Sequence, residues 1–288
     1  VLFLIVSIVI LGLVFAGCGG IFNVTLPDGG SNLSRGVIGG GDVYGIESNT
    51  GNFYRVNLET EVATYLFTTA KLGVSYVGPN GLAYDELNNR LYYCEYYSDL
   101  TAELWFWDGA NEVCAGTIPA GFTNKGIANA DCYDGKYYYF RGYTDDLYEV
   151  SFNADGTIAT YLKKADVAGG SHSWTFDGDI AIQDGVVYGW GKCRVHNKYE
   201  YFTCNVDGTD FNLIEVDPYY NSSYQLAFGS DDQLYGHSFY NGGFFVIDTA
   251  TGIGTPVFIG GLKFTDCASG STTTIEEIPG IDVVKECP

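Results

Sequence analysis

The chain has 288 residues, of which 35 are acidic and 14 basic, and its formal net charge is −21 at pH 7. This charge excludes nucleic acid and anionic membrane surfaces as partners, because phosphate binding needs a basic surface. Glycine is abundant (39 residues), 16% of residues are aromatic, and no stretch after residue 20 has a sustained helical period, so the composition predicts one all-β domain.

Residues 1–18 form an uncharged apolar leader that ends at Cys18. As a helix it would be about 25 Å long, slightly short of a bilayer span. Three interpretations stay open. It is a secretory signal; or Cys18 is a lipidation site, because the sequence FAGC resembles the bacterial lipobox; or the helix is retained and packs against copies of itself in an extracellular filament, resembling pilin-like subunits in hydrophobicity. Membrane contact is predicted only through residues 1–18.

Residues 19–41 are rich in Gly, Ser and Asn and include Pro27, which is typical of a flexible linker. Three Asn-X-Ser/Thr sequons are candidate glycosylation sites in a host that glycosylates, and their acceptors are Asn23, Asn32 and Asn221.

An internal repeat occupies residues 42 to 248. A short apolar or aromatic strand recurs five times, and the steps between its anchor tyrosines are 48, 46, 50 and 47 residues. The anchors are Tyr44, Tyr92, Tyr138, Tyr188 and Tyr235. Further short strands flank each anchor, separated by turn residues such as Asp-Gly and Asn-Gly. Four short strands in about 48 residues are the content of one β-propeller blade.

The repeat therefore predicts a β-propeller of five four-stranded blades over residues 42–288, preceded by a short apolar N-terminal helix. Six blades are the alternative, because the tail after Ile259 could build part of another unit. The first repeat lacks an obvious opening strand, so we expect the tail to supply it. That arrangement would close the ring and remove two exposed sheet edges.

The units share a strand that ends in Asp, Asn or another polar residue and is followed by Thr-Gly. Examples are Asp248-Thr-Ala-Thr-Gly252 and Glu47-Ser-Asn-Thr-Gly51. This pattern, over residues 42–260, resembles the repeats of secreted bacterial propellers that include surface-layer YVTN-type proteins. The resemblance implies surface display and binding more often than catalysis, and it transfers no functional residue.

The eight cysteines, together with the leader, predict an oxidising compartment and hence a secreted or cell-surface protein. Cys193 and Cys204 flank the hairpin of the fourth repeat and are predicted to form a disulfide. Cys267 with Cys287 could lock the tail. The remaining candidate pairs join Cys132 to Cys94 or to Cys114. If Cys18 is lipidated, one thiol stays free or pairs between subunits. No C-x-x-C motif is present, so zinc is not predicted.

Two histidines, His172 and His237, are candidates to face the central channel and bind a ligand there; the alternative is that each is a hydrogen-bonded structural histidine. No motif of a serine hydrolase, zinc protease or phosphate loop occurs. Acidic pairs fall in turn-like stretches and lack the D-x-D-x-D-G pattern of a calcium loop, so no metal site or cofactor is predicted, with calcium as the weak alternative. Paired carboxylates for glycoside hydrolysis stay open, because carboxyl separation is a three-dimensional quantity.

These observations favour a non-enzymatic extracellular or cell-surface structural or binding propeller, with the repeating subunit of a filament as its most concrete form. A lipid-anchored ligand-binding propeller and a secreted glycosidase or lactonase-type propeller enzyme are the alternatives. The expected partners are further copies of the chain, or other surface proteins or glycans, and the tyrosine-rich clusters suit such contacts.

Overall fold

The computed structural model describes residues 23–25, 42–47, 50–70, 79–94, 101–123, 127–175, 178–214, 224–259 and 261–270. These residues form β-strands joined by turns and loops. They include no helix that is long and apolar enough to cross a membrane. The predicted apolar helix, Cys18, Asn32, Asn221 and Cys287 lie outside the described residues.

The described strands form five sheets, each containing four antiparallel strands. Blade 1 consists of β21 (Phe264–Ala268), β2 (Val43–Glu47), β3 (Asn52–Asn57) and β4 (Val62–Thr68), and β1 (Asn23–Thr25) pairs in parallel with β4 at its outer edge. Blade 2 consists of β5 (Asn80–Asp85), β6 (Arg90–Cys94), β7 (Ala102–Trp107) and β8 (Glu112–Ile118).

Blade 3 consists of β9 (Ala130–Tyr133), β10 (Lys136–Phe140), β11 (Asp146–Phe152) and β12 (Ile158–Asp166). Blade 4 consists of β13 (Ile180–Gln183), β14 (Val186–Cys193), β15 (Lys198–Asn205) and β16 (Asn212–Ile214). Blade 5 consists of β17 (Tyr224–Phe228), β18 (Leu234–Ser238), β19 (Gly243–Ile247) and β20 (Gly254–Ile259). The predicted fold class, a propeller of five four-stranded blades, is confirmed.

The C-terminal part of the chain opens the first blade. Strand β21 pairs antiparallel with β2, from Tyr44 opposite Ala268 to Glu47 opposite Phe264. The expectation that the tail supplies the missing strand is therefore confirmed. Because a strand that follows the fifth repeat shares the sheet of the first repeat, the ring closes through backbone hydrogen bonds and not through loop contacts alone.

The anchor tyrosines all fall in the second strand of their blade, on β2, β6, β10, β14 and β18. Two of the turns that lead into these strands have the sequence Asp-Gly. Asp134 and Asp184 have φ angles of 50° and 52°, and the glycines that follow have φ angles of 68° and 78°. Positive φ at both central residues defines a type I′ turn, whose twist matches that of the flanking strands.

Five hydrophobic clusters fill the spaces between neighbouring blades. Aromatic rings stack across these interfaces: Phe67 of blade 1 lies 4.5 Å from Trp107 of blade 2, and Tyr92 of blade 2 lies 4.1 Å from Phe152 of blade 3, centroid to centroid. Fully burying one such side chain contributes about 1.5–3 kcal/mol. The aromatic content of the sequence is therefore used largely for packing between blades.

The first strands of the five blades, β21, β5, β9, β13 and β17, contact one another in a closed circle and line the central channel. Each first strand of blades 2 to 5 turns directly into the second strand of its blade, and these turns lie on one face, which we call the hairpin-turn face. Second strands run back, so Cys193, the last residue of β14, lies towards the opposite face.

Candidate functional site

Three carboxyl groups lie buried at the centre of the ring. They belong to Asp131 on β9, Asp179 immediately before β13, and Asp266 on β21, and at most 1% of each residue is exposed. A buried carboxyl group is costly unless it is hydrogen-bonded. Each of the three meets this requirement by accepting hydrogen bonds from backbone amides, including those of neighbouring blades.

Asp179 joins three blades. Its Oδ1 accepts from the amides of Ile180 in its own blade at 2.7 Å and of Ala130 in blade 3 at 3.2 Å, and its Oδ2 accepts from the amide of Leu226 in blade 5 at 3.2 Å. One side chain thereby fixes the register between three first strands that share no backbone ladder.

The other two carboxyl groups act in the same way. Asp266 accepts from the amide of Leu82 in blade 2 at 2.5 Å. Asp131 accepts from the amide of Ile182 in blade 4 at 2.7 Å and from the Ser269 hydroxyl at 3.1 Å. With Asp179, these bonds connect all five blades at the channel.

Burial perturbs the acidity of this group. It raises the pKa of Asp131 to about 7, although the amides of Ile182 and Cys132 partly oppose the effect. It also raises the pKa of Asp266 to about 7. For Asp179, burial followed by repulsion from Asp266 raises the pKa well above its usual range. The channel therefore favours protonated carboxyl groups near neutral pH.

A cavity of about 380 Å³ opens on the hairpin-turn face, above the channel carboxyl groups. Its walls are the turns between the first and second strands of blades 2 to 5 and the chain after β21. Five acidic residues line it: Asp85, Glu86, Asp134, Asp184 and Asp232. No lysine or arginine is among the described lining residues. Tyr133 and the exposed side chain of Leu87 add apolar surface.

The acidic turns are held rigidly. Asp85 is 1% exposed and accepts from the Asn88 side chain at 2.7 Å, while Asp232 accepts from Gln183 of blade 4 at 2.8 Å. Because Asp134 and Asp184 sit at the left-handed positions of type I′ turns, their backbones are also fixed. The cavity is thus a preformed site of negative potential that suits a cationic group.

A second cluster of polar side chains lies towards the opposite face, in blade 4. It consists of His172, Cys193, His196 and Glu200, and we call it the blade-4 cluster. One donor atom from each side chain lies within 4.8 Å of all the others. Glu200 is at its centre: one carboxylate oxygen is 2.8 Å from Nδ1 of His172, and the other is 2.7 Å from Nδ1 of His196.

Local structure explains this convergence. Cys193 ends β14, His196 lies in the turn that follows, and Glu200 is on β15, so three members come from one hairpin. The segment before β13 supplies His172. It runs alongside β14, where the Thr175 amide donates to the Lys192 carbonyl at 2.9 Å and the Arg194 amide donates to the Ser173 carbonyl at 2.8 Å. This pairing holds His172 over the hairpin.

Trp174 completes the surroundings of the blade-4 cluster. Its indole Nε1 donates to Glu200 at 2.8 Å, and its ring stacks on His172 with centroids 5.3 Å apart. Burial tends to raise the pKa of Glu200, but the hydrogen bonds from His196, Trp174 and His172 outweigh it and lower that pKa. Glu200 is therefore a buried anion held by side-chain donors.

Neither histidine predicted to face the channel lies on a channel-lining strand. His172 is part of the blade-4 cluster. His237 is buried on β18, between the rings of Phe244 and Phe264, and its Nε2 lies 3.3 Å from the Leu262 carbonyl oxygen. Burial lowers the pKa of His237 to about 3, so it is a neutral structural histidine.

The strand register contradicts the predicted Cys193–Cys204 disulfide. Cys193 is paired with Lys198 at one end of the β14–β15 hairpin, whereas Cys204 is paired with Val187 at the other. Six residues of extended strand, about 20 Å, separate these ends, far beyond the reach of a disulfide.

The other predicted pairs are not formed either, because Cys132 and Cys267 are free thiols, as are Cys94, Cys193 and Cys204. Burial raises the pKa of Cys94 and of Cys204 to about 12, which makes these thiols unreactive core residues. Cys114 is buried in β8. Among the sequons, Asn23 begins β1.

The acidic pairs noted in the sequence mostly close turns, as expected. Asp207 accepts from the Thr209 amide at 2.9 Å, and Asp231 accepts from the Gln233 amide at 3.3 Å. On blade 3, the partly exposed Lys163 pairs with the buried Asp146 at 2.7 Å. These carboxylates have local structural partners.

Sequence reasoning missed Glu200, Trp174 and the three channel aspartates. The sequence does carry a signal for Glu200, because Cys193, His196 and Glu200 form the pattern C-x-x-H-x-x-x-E. For the channel, Asp131 and Asp266 are both followed by cysteine on first strands, which is a small internal repeat.

Comparison with family models finds none that matches this chain, and comparison with curated proteins also finds no match. Solved structures of similar fold are found. A chain of a nidogen/laminin complex shares 11% identity with a TM-score of 0.47, covering 80% of this chain and 98% of that one. A GH43 glycoside hydrolase shares 13% with a TM-score of 0.46, covering 76% and 51%. TolB from Acinetobacter baumannii shares 8% with a TM-score of 0.44, covering 79% and 66%. These likenesses concern the fold, and we transfer no role from them.

Proposed function

We propose that this chain is a non-enzymatic binding propeller that captures a cationic segment of a partner protein in the cavity on its hairpin-turn face. The observation that carries the proposal is the lining of that cavity: five acidic residues line about 380 Å³ with no basic residue among the described ones, and all of them except Asp85 are exposed. A lysine side chain fits this site, because its ammonium group can meet several carboxylates while its stem lies on Tyr133 and Leu87.

A binding function is favoured over hydrolysis because the three channel carboxyl groups are buried and hydrogen-bonded. A glycosidase needs one carboxyl group to protonate the leaving oxygen and another to attack or to activate water, and both must touch the sugar. Asp131, Asp179 and Asp266 are at most 1% exposed and are committed to backbone amides. None of the three is among the described lining residues of the cavity, whereas Ile182 and Ser269, which donate to Asp131, do line it.

The proposed location is extracellular or at the cell surface. The apolar residues 1–18 support export, and the net charge of −21 suits an exposed soluble surface. Filament assembly and lipid anchoring are finer versions of this proposal. Mass spectrometry of the native N-terminus separates them: an intact apolar leader supports assembly, diacylglycerol on Cys18 supports anchoring, and a chain that starts elsewhere supports plain secretion.

Calorimetric titration with an oligolysine peptide tests the cationic ligand. We expect binding that weakens as salt rises, because the contributing charges are at the surface and are screened. Asp134→Asn with Asp184→Asn removes two charges and keeps the turns, since asparagine tolerates the same left-handed backbone. Losing two exposed charge pairs should weaken binding about 10-fold.

The matched control is Glu61→Gln with Asp210→Asn. This variant removes the same net charge from two turn residues that also have positive φ, 57° and 56°, but lie outside the cavity. It should leave affinity within about 2-fold of the parent. Equal weakening by both double variants would mean that overall charge, and not the cavity, attracts the peptide. A neutral oligosaccharide that binds with no salt dependence would favour a glycan ligand instead.

A further inference from the structure

The blade-4 cluster places four metal-binding donor groups around one point. They are two imidazole nitrogens, a thiol and a carboxylate, and three of the four residues are buried: His172, Cys193 and Glu200. Hydrophobic packing does not explain such a set, because burying a carboxylate and an imidazole beside a thiol costs solvation that apolar residues would avoid. A bound cation would neutralise the buried anion.

The two distances from the Cys193 sulfur match a tetrahedral metal site. Zinc bonds of about 2.0–2.3 Å put neighbouring ligand atoms about 3.3–3.8 Å apart. In the structure, Sγ of Cys193 lies 3.8 Å from Nδ1 of His172 and 3.5 Å from Nδ1 of His196. The contacts of these two nitrogens with Glu200, at 2.8 and 2.7 Å, are hydrogen bonds that need to lengthen by less than about 1 Å to admit an ion.

We propose that the blade-4 cluster binds one Zn²⁺ ion through the two histidine Nδ1 atoms, the Cys193 thiolate and one oxygen of Glu200. On binding, the Cys193 thiol releases its proton to solvent and its sulfur donates an electron pair to the metal. In the metal-bound form each imidazole carries its proton on Nε2, so that the Nδ1 lone pair faces the metal.

The donor set selects the metal. Calcium and magnesium prefer six or more oxygen ligands, which this cluster does not offer. A thiolate with two imidazoles and one carboxylate suits a borderline divalent transition ion, and four protein ligands in a tetrahedron are typical of zinc.

The neighbours of the ligands act as a positioning layer. The indole of Trp174 donates to Glu200 at 2.8 Å and stacks on His172, so it orients two ligands at once. Hydrogen bonds of this kind to metal ligands fix their orientation and tune affinity. The side chain of His196 is 40% exposed and provides the route by which the ion enters.

The site is structural and not catalytic, because four protein ligands leave no open coordination position. Three ligands belong to the β14–β15 hairpin and the fourth to the connection between blades 3 and 4. The ion therefore clamps that connection to blade 4. This inference is independent of the cationic ligand proposed for the other face.

The test uses the full protein, stripped of metal with a chelator and kept reduced, and titrated with Zn²⁺ and separately with Co²⁺. Native mass spectrometry should show one ion per chain. The Co²⁺ form should show the intense visible bands of tetrahedral cobalt and a near-ultraviolet thiolate-to-metal charge-transfer band. Cys193→Ser and His196→Gln should each weaken Zn²⁺ binding at least about 100-fold, more than the loss of an outer partner.

Cys204→Ser is the matched control, because Cys204 is a buried free thiol at the far end of the same hairpin. It should keep one ion per chain and the charge-transfer band. His196→Gln separates loss of a ligand from loss of folding. Because His196 is partly exposed in a turn, this variant should leave the circular dichroism spectrum unchanged. The proposal is overturned if the parent protein binds no Zn²⁺, if Co²⁺ gives no thiolate band, or if folded His196→Gln binds as tightly as the parent.

Discussion

The channel carboxyl groups and the blade-4 cluster are two buried polar regions that are stabilised by different partners. Asp131, Asp179 and Asp266 accept hydrogen bonds mainly from backbone amides. Glu200 is held by side chains, two histidines and a tryptophan. The backbone amides cannot be replaced as donors without unfolding a strand. A histidine side chain, in contrast, can present a nitrogen lone pair to an ion in place of its N–H. The channel carboxyl groups therefore suit a fixed structural link between blades, and the blade-4 cluster suits a binding site.

The two regions also differ in acidity. Burial is the largest cause in both, and in the channel it prevails, so the pKa values of Asp131 and Asp266 rise to about 7. At Glu200 the hydrogen bonds from the side chains of His196, Trp174 and His172 prevail, and the pKa is lowered. Burial alone therefore does not decide whether a carboxyl group is charged; the strength of its donors does.

The largest expected effect on stability comes from removing the hydrogen bonds that Asp179 accepts from three blades. Asp179→Ala leaves three buried amides without acceptors, those of Ala130, Ile180 and Leu226. At about 1–3 kcal/mol for each unsatisfied group, the free energy of unfolding should fall by about 4 kcal/mol. Urea denaturation measures it. Asp179→Asn keeps one acceptor oxygen, so its free energy of unfolding should fall by about half as much. A fall of less than about 1 kcal/mol in the alanine variant would mean that these hydrogen bonds are not needed to hold the blades together.

The second prediction concerns pH. Asp131 and Asp266 have folded-state pKa values raised to about 7 from 3.8, so between these values the folded protein binds more protons than the unfolded chain. Their contribution to stability is therefore fully present below about pH 4 and is lost as the pH rises through 7. Between about pH 5 and pH 8 we expect stability to fall by roughly 3 kcal/mol for one such group.

Urea denaturation at the two pH values tests this sign. Repulsion within a chain of charge −21 acts in the same direction, so a charge-matched control is needed. Asp131→Asn cannot ionise at that position and should make the dependence on pH shallower. Asp210→Asn removes the same charge from an exposed turn and should leave the dependence unchanged. Stability that rises between pH 5 and pH 8 in the parent would contradict the assignment.

Zinc should stabilise the protein by a somewhat smaller amount. An ion that binds only the folded state, at a free concentration of about 100 times its dissociation constant, adds about 2.7 kcal/mol. For a domain of this size, that raises the midpoint of thermal unfolding by roughly 5–10 °C. Differential scanning calorimetry with and without Zn²⁺ measures the shift. Cys204→Ser should show the full shift and Cys193→Ser none; an equal shift in both would place the ion elsewhere.

The fold was largely predictable from the sequence because each blade repeats its local signals. The anchor tyrosines recur at near-constant spacing, and Asp134-Gly135 and Asp184-Gly185 encode type I′ turns within their own hairpins. Ring closure by β21 was also predictable, because the first repeat lacked an opening strand. The turn residues lie within the hairpins that they form, and ring closure follows from the number of strands in each repeat.

The polar regions were harder to predict, because their partners are far apart in sequence. Asp266 meets the Leu82 amide 184 residues away, and no local pattern indicates that pairing. The Cys193–Cys204 disulfide was predicted from spacing alone, without the strand register that separates the two residues. Cys193 and His196 were visible as neighbours, but His172 joins them only because its segment runs beside β14.

The smallest predicted effect separates positioning from packing in blade 4. Trp174→Phe removes the indole donor to Glu200, which should weaken Zn²⁺ binding about 10-fold, the typical cost of losing an outer partner of a metal ligand. Trp190→Phe is the matched control, because Trp190 is also fully buried in blade 4 but packs against Tyr201 and Tyr224, away from the cluster. Both variants lose buried volume and should lose similar thermal stability. Zinc titration should separate the two variants, since only Trp174→Phe weakens binding. Equal affinities would show that the Trp174 indole contributes to packing alone. The side chains of the blade-4 cluster would then set the geometry of the site without the indole donor.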